Sequence, residues 1–490
     1  MTEQTLGRLA EESWERFGDY DAVFYDGAWH RRHTLAARAR RVCGGFVAAG
    51  VRPGDRVAVM MATSPDVAVV YQALWAAGAV VTPIVFLVGP EELRHILADS
   101  GAVAVVTSPE LVETVRLAVP DEVRIFLDTG EFGELAQAPE HGPVSVDPGD
   151  LAALMYTGGT TGRAKGVKLS HRGLWQVAKD AFAMSHQEGL NRAIVPVPLS
   201  HAYGLIITVA EMHADEPQQA VLMRWFEPKP FLALAAEQRA QFGTVVPSMI
   251  QMLLAEPLDE HPLPDLAFLT CGAAPLGRET LLEFERRMPG TQILEGYGMT
   301  ETSAVTTFNP PGRRRIGSVG LPLPGYTLTI RDNSGEPVES GDIGEICIRG
   351  SSLMLGYWGG LSSPIVDGEL RTGDIGCLDD DGYLYVVDRK KDLIIRGGFN
   401  VFPRDVEDTL NRHPDVVMSG VVGRPDPRHG EEVVAFVQLR PGAELAEEEL
   451  IGWVRDRVGR VKYPREVHFV DTIPVTSVLK IDRKELRGRL

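Results

Sequence analysis

The sequence predicts an α/β protein with a large N-terminal domain of two αβαβα-type sheets plus a small β-barrel-like subdomain, followed by a small α+β C-terminal domain. Between residues 57 and 295, short apolar runs alternate with helical patterns, which is typical of parallel strands covered on both faces. After Gly317 the runs alternate with polar residues between Gly and Asp clusters, which indicates a smaller antiparallel or barrel-like sheet. The charged stretch 389–392 separates two apolar runs, so we place the boundary between domains 1–390 and 391–490.

The elements of the large domain are expected to follow one another as strand and helix. Residues 65–77 fit a helix between two strands, and another helix is expected to begin near Ser170. The expected strands of the two large sheets are 57–61, 80–84, 103–106, 123–127, 151–156, 193–197, 221–225, 266–271 and 292–294. Those of the barrel-like sheet are 327–330, 343–348 and 383–387.

The C-terminal domain is predicted to be a compact mixture of helices and strands. Residues 393–401 fit a hairpin interrupted by glycines, because apolar runs flank Gly397 and Gly398. The predicted helices are 404–412 and 447–457, and the predicted strands are 416–422, 433–439 and 467–470.

Composition excludes several classes of function. The 490 residues carry 49 Lys and Arg against 67 Asp and Glu, a net charge of −18, which argues against tracking nucleic acid or an anionic membrane. The acidic balance lies in the large domain, because acidic and basic residues are equally numerous after residue 390. A local phosphate site is still compatible with this charge, since backbone amides and a few cations suffice to bind one.

The cysteines and the apolar stretches predict a cytoplasmic protein. The four cysteines are scattered without a CxxC pair, which argues against a disulfide framework or a zinc site and favours a reducing compartment. The N-terminus is polar and acidic, unlike a signal peptide. No apolar run of ~20 residues is free of Gly, Pro and polar residues, so we expect no membrane span.

The strongest local motif is the segment 156–166, YTGGTTGRAKG, which follows a predicted strand. Glycines expose backbone N–H groups, and hydroxyls and a lysine can bind phosphate oxygens, so the segment predicts a phosphate-binding loop. It is not a Walker A loop, because Ala164 stands where that motif needs its second Gly. The expected phosphate contacts are Thr157, Gly158, Gly159, Thr160, Thr161 and Lys165, with Ser170 as a flanking hydroxyl.

Three further segments carry a resemblance to a known family. They are 296–301 (GYGMTE), 371–374 (RTGD) and 474–480 (PVTSVLK). With the loop, they resemble the motifs of the adenylate-forming superfamily of acyl-CoA synthetases, nonribosomal-peptide adenylation domains and luciferases. The resemblance spans nearly the whole chain and is closest to fatty or aryl acyl-CoA synthetases. The chain departs from the usual Ser, Pro and Gly of these motifs at Gly158, Ala164 and Leu479.

The resemblance implies an ATP and Mg²⁺ site. Tyr297 would stack on adenine, Thr300 would contact the α-phosphate, and Glu301 would hold Mg²⁺, a hard cation that suits a carboxylate. Asp374 would accept hydrogen bonds from the ribose hydroxyls, and Arg389 would contact ribose or phosphate. The other residues expected beside the nucleotide are Gly272, Ala273, Ala274 and Gly296.

The resemblance also implies a catalytic lysine on a mobile C-terminal domain. Lys480 would bind the carboxylate and the α-phosphate, and its charge would offset that of the transition state. Lys391 would be the hinge residue for the domain rotation. After rotation, Gly398 would line the thiol channel, because a residue without a Cβ lets a pantetheine arm pass close to the backbone.

The family builds its acyl pocket from stretches that correspond here to 198–204, 245–249 and 269–274. The expected pocket residues are His201, Tyr203, Val246, Ser248, Met249, Cys271, Gly298 and Met299. His201 aligns with an aromatic gate beside the reacting carboxylate, although a core histidine with satisfied hydrogen bonds is an equal alternative. None of the stretches carries Arg, Lys, Asp or Glu, which argues against diacids and amino acids as substrates. Gly298 and Met299 suggest an open apolar floor, so a medium or long fatty acid, or an aryl acid, is expected.

The acceptor has two open alternatives. CoA is the first expectation, and the phosphopantetheine of an acyl carrier protein is the second. A basic cluster could meet the phosphates of CoA or an acidic carrier, but a solvated helix face explains it equally well. The residues of this cluster are Arg455, Arg457, Arg460, Lys462 and Arg465. A non-catalytic ligand-binding relative and a luciferase-type oxygenase are the remaining alternatives.

Overall fold

The computed structural model describes residues 4–128, 132–133, 135–157, 163–475 and 481–490. The chain divides into two compact units. The first consists of Met1–Leu276, Thr280–Thr327 and Arg349–Leu370, and the second of Gly277–Glu279, Leu328–Ile348 and Arg371–Leu490. The sequence-based boundary after residue 390 falls inside the second unit and stays a prediction.

The described helices are numbered in chain order. They are α1 Leu6–Arg16, α2 Arg32–Ala48, α3 Pro65–Ala76, α4 Pro90–Ser100, α5 Val112–Arg116, α6 His171–Ser185, α7 Ala202–Glu211, α8 Pro228–Glu237, α9 Pro247–Leu254, α10 Arg278–Arg287, α11 Pro403–Leu410, α12 Glu447–Val458 and α13 Arg483–Gly488. Several begin with Pro, whose fixed φ suits the first helical turn and whose missing N–H is not needed there.

The described strands are numbered in the same way. They are β1 Asp21–Tyr25, β2 Ala28–Arg31, β3 Arg56–Met60, β4 Val80–Pro83, β5 Ala104–Thr107, β6 Arg124–Leu127, β7 Leu151–Thr157, β8 Lys165–Ser170, β9 Arg192–Val195, β10 Gln219–Leu222, β11 Phe242–Val245, β12 Phe268–Cys271, β13 Gln292–Tyr297, β14 Thr307–Phe308, β15 Leu321–Pro322, β16 Tyr326–Arg331, β17 Gly344–Gly350, β18 Ile365–Val366, β19 Glu369–Leu378, β20 Leu384–Arg389, β21 Ile394–Arg396, β22 Phe399–Val401, β23 Val416–Asp426, β24 Gly430–Leu439 and β25 Glu466–Phe469.

The first unit contains the two large sheets that the sequence predicts. One has six strands in the order β6-β5-β3-β4-β7-β8, parallel except for the antiparallel β8 at its edge. The other has nine strands in the order β15-β14-β13-β12-β11-β9-β10-β1-β2, and its central strands, β13 to β1, are parallel. The central strands bury their apolar residues, as in β3, where Val57, Ala58 and Val59 are fully inaccessible to solvent. Burial on both faces explains why these strands are continuous apolar runs.

Two smaller sheets complete the fold. A five-stranded sheet has the order β16-β17-β19-β18, with β20 also paired to β19, and corresponds to the predicted barrel-like subdomain. The C-terminal sheet has the order β22-β21-β24-β23, with β25 parallel to β24. Helices α11 and α12 contribute Val406, Leu410, Leu450 and Val454 to the core against this sheet. The α/β fold class is therefore confirmed.

Most predicted elements lie within a few residues of their expected positions, but several strands were not predicted. The sequence predicted neither β8 nor β19, because Lys165, Lys168 and Asp374 interrupt their apolar runs. The short hairpin of β1 and β2 was also not predicted. Within the described residues, no helix combines the length and the apolar character needed to cross a membrane.

Candidate functional site

The predicted phosphate-binding segment connects two antiparallel strands. Thr157 ends β7 and lies opposite Lys165, the first residue of β8. The predicted contacts Gly158, Gly159, Thr160 and Thr161 lie outside the described residues. Ser170 is not a phosphate contact of this loop: its Oγ accepts the N–H of Gly173 over 3.1 Å and caps α6, a whole strand after the loop. The helix expected near Ser170 is confirmed as α6, and the unpredicted strand β8 lies between it and the loop.

Helix α4 holds both ends of this segment. The hydroxyl of Tyr156 donates to Asp99 Oδ2 over 2.6 Å, and His95 Nε2 lies 3.1 Å from the carbonyl oxygen of Ala164. Because a carbonyl can only accept, His95 carries its proton on Nε2. Burial, with the neighbouring Asp99 carboxylate, raises the pKa of Tyr156, so its phenol remains a donor. One face of α4 therefore fixes the entry and the exit of the loop.

The predicted Mg²⁺ ligand lies in a tight turn after β13. Residues Thr300–Thr302 form one 3₁₀ turn, followed by Ser303 and Ala304 with φ of 57° and 97°. Thr302 holds the turn: its Oγ1 accepts the N–H of Met299 over 3.2 Å, and its carbonyl accepts the hydroxyl of Tyr326 over 2.6 Å. Left-handed φ at residues other than Gly is strained and persists where the surroundings enforce it. The turn is thus a rigid support for Glu301.

Tyr357 connects this turn to Lys165. Its hydroxyl donates to Glu301 Oε1 over 2.9 Å, and the Lys165 ammonium lies 5.5 Å from the centroid of its ring. Burial, assisted by the Glu301 charge, raises the pKa of Tyr357, so the phenol stays protonated. Sequence reasoning missed Tyr357, because an aromatic residue after Gly356 cannot be told from a core residue without the fold.

The adenine-side motifs also lie close together. Strands β12 and β13 are parallel neighbours, so residues 272–274 and 296–301 leave the same edge of the sheet. A Cβ on Gly272 would lie only 3.2 Å from the carbonyl oxygen of Gly296. Ala273 has φ of 69°, a strained conformation for a residue with a side chain. The missing Cβ of Gly272 thus leaves room for the main chain of Gly296, while the predicted nucleotide contacts of 272–274, Gly296 and Tyr297 stay predictions.

Gly298 has a different explanation from the one that the sequence suggested. A Cβ at this position would lie 2.1 Å from the carbonyl oxygen of Ala304 and 2.6 Å from Val305 Cα. The space beside Gly298 is filled by main chain, so this residue allows the Glu301 turn to close on itself. The expectation of an open pocket floor is therefore wrong at Gly298, and at Met299 it stays a prediction.

The predicted acyl-pocket stretches follow β9, β11 and β12, which are neighbours in the nine-stranded sheet. His201 caps α7, since its Nδ1 accepts the N–H of Tyr203 over 3.2 Å, which fits the alternative of a histidine with satisfied hydrogen bonds. Tyr203 donates its hydroxyl to Thr270 Oγ1 over 2.8 Å, and Thr270 Oγ1 lies 3.1 Å from Thr244 Oγ1. Burial raises the pKa of Tyr203. The hydroxyls of Thr244 and Thr270 were missed, because single threonines in an apolar run give no signal.

The rest of the predicted pocket lies at the start of α9 and the end of β12. Val246 precedes α9, and Ser248 and Met249 lie in its first turn. The Oγ atom of Ser248 is buried and has no hydrogen-bond partner among the described residues. Cys271 ends β12 and is 2% exposed, and burial raises the pKa of its thiol well above the usual range. The three predicted stretches thus contain hydroxyl groups, those of Tyr203, Ser248 and Thr270, as well as apolar side chains.

The predicted ribose-binding pair lies in the second unit. Asp374 on β19 and Arg389 on β20 are register partners, and Arg389 Nε lies 3.6 Å from Asp374 Oδ1. Glu345 fixes the neighbouring backbone, because it accepts the N–H of Gly373 over 3.1 Å and the ammonium of Lys390 over 2.9 Å. The structure therefore brings Asp374 and Arg389 together and gives Lys390 a structural role.

The predicted hinge and thiol-channel residues have local explanations. Lys391 follows β20, and partial burial with the nearby Arg389 lowers the pKa of its ammonium. Gly397 and Gly398 have φ of 58° and 82° and form the two-residue turn between β21 and β22, which requires left-handed φ at both positions. A Cβ on Gly398 would meet no described atom within 4 Å. Lys480 lies outside the described residues, so its role stays a prediction.

The basic cluster of the C-terminal domain is largely occupied by its own surroundings. Lys462 forms an ion pair with Asp405 at 2.7 Å. The Arg465 guanidinium lies over the ring of Tyr463 and donates to its carbonyl, and that of Arg457 lies over the ring of Trp453. These contacts engage Arg457, Lys462 and Arg465 within the C-terminal domain, and the choice between a solvated helix face and a docking surface stays a prediction.

Comparisons with known proteins agree with this arrangement of motifs. The model of the AMP-binding enzyme family matches residues 10–358, and that of the AMP-binding enzyme C-terminal domain matches residues 405–480. A feruloyl-CoA synthase of an Amycolatopsis species is 36% identical over 476 residues, covering 96% of this chain and 95% of the relative. A fatty acid–[acyl-carrier-protein] ligase, ScoC of Streptomyces coeruleorubidus, is 32% identical and covers 96% of this chain and 93% of its own. The crystal structure of ATP-bound MatB from Rhodopseudomonas palustris superposes with a TM-score of 0.89 at 30% identity, over 99% of this chain and 98% of that one.

Proposed function

We propose that this chain, which belongs to the AMP-binding enzyme family, activates an aryl carboxylic acid with ATP and transfers the acyl group to CoA. The chain is an AMP-forming acid–thiol ligase, so its reaction has two steps. First, a carboxylate oxygen attacks the α-phosphorus of ATP, and pyrophosphate leaves. Second, the thiol sulfur attacks the acyl carbon, its proton passes to solvent, and AMP leaves.

The observation that supports this proposal most is the contact of Lys165, Tyr357 and Glu301. Tyr357 contacts both charged groups. Its ring lies beside Lys165, at the end of the glycine- and threonine-rich loop, and its hydroxyl donates to Glu301 on the rigid turn. These are the group types that bind the phosphates of ATP and the cation that accompanies them. Neither Lys165 nor Glu301 forms an ion pair within the described parts of the chain, so both charges remain for a ligand.

Glu301 is the residue that would hold Mg²⁺. Its carboxylate is half-buried, and it keeps Oε2 outside the hydrogen bond to Tyr357. One carboxylate fits Mg²⁺, which keeps several waters and takes further oxygens from substrate phosphates. When bound, the ion neutralises charge on the phosphate oxygens. Lys165 and the loop amides would orient the phosphates, Asp374 and Arg389 would hold the ribose, and Lys480 would stabilise the charge that develops at the α-phosphate.

The hydroxyl groups of the predicted pocket favour an aryl acid over a fatty acid. A buried hydroxyl without a partner, such as Ser248 Oγ, costs about 1–3 kcal/mol. A substrate with a ring hydroxyl or methoxy group can supply the missing partner, whereas an alkyl chain cannot. The feruloyl-CoA synthase relative is consistent with this class. A medium or long fatty acid is the second candidate, supported by the ScoC relative.

A panel of acids in the ATP–pyrophosphate exchange assay tests the substrate class. We expect 4-hydroxycinnamates to support faster exchange than cinnamate, hexanoate or palmitate. Ser248→Ala should reduce the preference for 4-hydroxycinnamate over cinnamate by about fivefold, the equivalent of one hydrogen bond. Ser185→Ala is the matched control, because Ser185 Oγ bonds only to its own helix, at Ala181 O and Phe182 O. Exchange with fatty acids alone, unchanged in Ser248→Ala, would contradict the aryl proposal.

CoA is the proposed acceptor, and a carrier protein is the second candidate. The basic side chains that could recognise an acidic carrier already contact Asp405, Trp453 and Tyr463. Offering the adenylated enzyme CoA in one reaction and a holo-carrier protein in another decides between them. We expect thioester with CoA at a rate at least tenfold higher. Transfer to the carrier alone would overturn this choice.

The cytoplasm is the proposed location. All four cysteines, Cys43, Cys271, Cys347 and Cys377, are free thiols. Free thiols and the use of ATP suit a reducing, nucleotide-rich compartment. Fractionation of cells that express the chain at native levels tests this, and recovery in another fraction would contradict it.

A further inference from the structure

We propose that Tyr357 is a positioning residue that orients the Glu301 carboxylate and keeps it apart from the Lys165 ammonium, so that a metal-bound nucleotide meets both charges separately. The inference rests on the proposed function, because it assigns Lys165 to phosphate and Glu301 to the cation.

The backbone around Tyr357 forms a strap, residues 354–358, that joins the two motifs. At one end, the N–H of Met354 donates to the carbonyl of Glu301 over 2.8 Å. In the middle, Leu355 donates to Lys168 O over 2.8 Å, and Lys168 donates to Gly356 O over 3.1 Å. The strap is therefore hydrogen-bonded to the Glu301 turn and to β8, the strand that Lys165 begins.

The other end of the strap is fixed as well. The indole N–H of Trp358 donates to the carbonyl of Asp99 over 2.8 Å. Gly356 has φ of 107°, a conformation that a residue with a side chain rarely adopts. The ring of Tyr357 is thus placed by contacts on both sides of it rather than by its own hydroxyl. Removal of the hydroxyl alone should leave the ring where it is.

The hydroxyl and the ring of Tyr357 have separate tasks. The hydroxyl is a neutral donor, so it orients Glu301 without cancelling the charge that attracts a cation. The ring presents its electron-rich face to Lys165, which attracts the ammonium without using its hydrogen-bond donors on a carboxylate. A direct Lys165–Glu301 ion pair would satisfy both groups internally and would compete with the ligand.

Two substitutions separate these tasks. Tyr357→Phe removes the hydrogen bond to Glu301 but keeps the ring, and Tyr357→Leu removes both. We expect Tyr357→Phe to weaken the binding of Mn²⁺·ATP by about three- to tenfold, the loss of one hydrogen bond to a charged group, with metal-free ATP binding unchanged. Tyr357→Leu should weaken both, because Lys165 becomes able to pair with Glu301. Equilibrium titration followed by the Mn²⁺ EPR signal measures the metal complex, and calorimetry measures ATP alone.

The effect must depend on Glu301. In a double-mutant cycle, Tyr357→Phe should change Mn²⁺·ATP binding by less than twofold when Glu301→Gln is already present. Tyr385→Phe is the matched control, because it removes another phenol–carboxylate bond, from Tyr385 to Asp379 Oδ2 at 3.2 Å, and should leave Mn²⁺·ATP binding as in the wild type.

The results distinguish this inference from the proposed function. Wild-type binding of Mn²⁺·ATP by a folded Tyr357→Phe variant, or an undiminished effect in the Glu301→Gln background, would overturn the positioning role. If no acid supports exchange but the metal titration behaves as expected, the reaction assignment fails while the inference about Tyr357 stands.

Discussion

The Glu301 turn in the first unit and the α13 segment in the second unit use their carboxylates in opposite ways. In the first unit, Glu301 is half-buried and takes a hydrogen bond from the neutral phenol of Tyr357. In the second unit, Asp392 and Glu407 are 6% and 5% exposed and are paired with arginines. A carboxylate held by a neutral donor keeps its charge for a ligand, whereas Asp392 and Glu407, which are buried and paired with arginines, use theirs for the fold.

The arginines of the second unit come from α13, the helix that follows the predicted catalytic Lys480. Arg483 Nη2 lies 2.7 Å from Glu407 Oε2, and Arg487 Nη2 lies 2.8 Å from Asp392 Oδ1. Burial raises the pKa of Glu407, although the Arg483 charge opposes this. Burial disfavours the charge of Arg483, yet the surrounding carboxylates raise its pKa. These pairs attach the segment next to Lys480 to α11 and to the residue after Lys391.

The largest expected effect comes from breaking this buried network. Arg483→Met leaves Glu407 without its ion-pair partner and should lower the free energy of unfolding by about 3–5 kcal/mol. Chemical denaturation followed by fluorescence measures this. Arg489→Met is the control, because Arg489 forms an exposed pair with Glu485, and a loss under about 0.5 kcal/mol is expected. Equal stability of the two variants would show that the carboxylates paired with α13 are not structural, which would remove their contrast with Glu301.

A second effect is a pH dependence that belongs to the first unit. His171 is 1% exposed, its Nδ1 accepts the N–H of Leu6 over 3.2 Å, and burial lowers its pKa to about 4. Its folded pKa lies below the unfolded value near 6.5, so the neutral form is favoured by folding. The contribution of neutral His171 to the free energy of unfolding is complete above pH ~6.5. It falls by about 3 kcal/mol as the pH decreases towards 4, because the unfolded chain takes up the proton first.

Denaturation of the wild type and of His171→Gln at several pH values checks this expectation. The wild type should lose stability between pH ~6.5 and 4 more steeply than the variant, because the glutamine side chain cannot take up a proton. Parallel curves for the two proteins would show that His171 does not contribute.

A third effect separates function from stability. Glu301→Gln keeps the shape of the side chain but removes the charge, so it should slow exchange at fixed Mg²⁺ by about 100-fold. Its free energy of unfolding should stay within about 0.5 kcal/mol of the wild type, because Glu301 takes no part in a described ion pair. A variant that is destabilised as strongly as Arg483→Met would place Glu301 among the structural carboxylates.

Local patterns predicted the elements and motifs but not the contacts between them. Strand β3 was predictable because a strand buried on both faces is a continuous apolar run. Asp374 and Arg389 were found through resemblance, and only the antiparallel register of β19 and β20 shows that they are neighbours. Tyr357 gave no signal, because its role depends on two segments distant in sequence from it.

At Gly298 the sequence carried a signal, but the interpretation of that signal was wrong. Sequence reasoning explained this glycine by the substrate, but its missing Cβ makes room for the main chain of Ala304 and Val305. A glycine in a motif indicates a close approach, and the sequence does not say what approaches. The same limit applied to Ser170, whose hydroxyl caps α6 at the far end of the unpredicted strand β8.

Acid-dependent exchange of labelled pyrophosphate into ATP tests the central claim most directly. The account predicts that the wild type shows exchange with an aryl acid and Mg²⁺, none without the acid, and a loss of at least about 100-fold in Lys480→Ala. Absence of exchange with every aryl and fatty acid, by an enzyme that binds ATP, would contradict it. So would exchange that Lys480→Ala leaves unchanged.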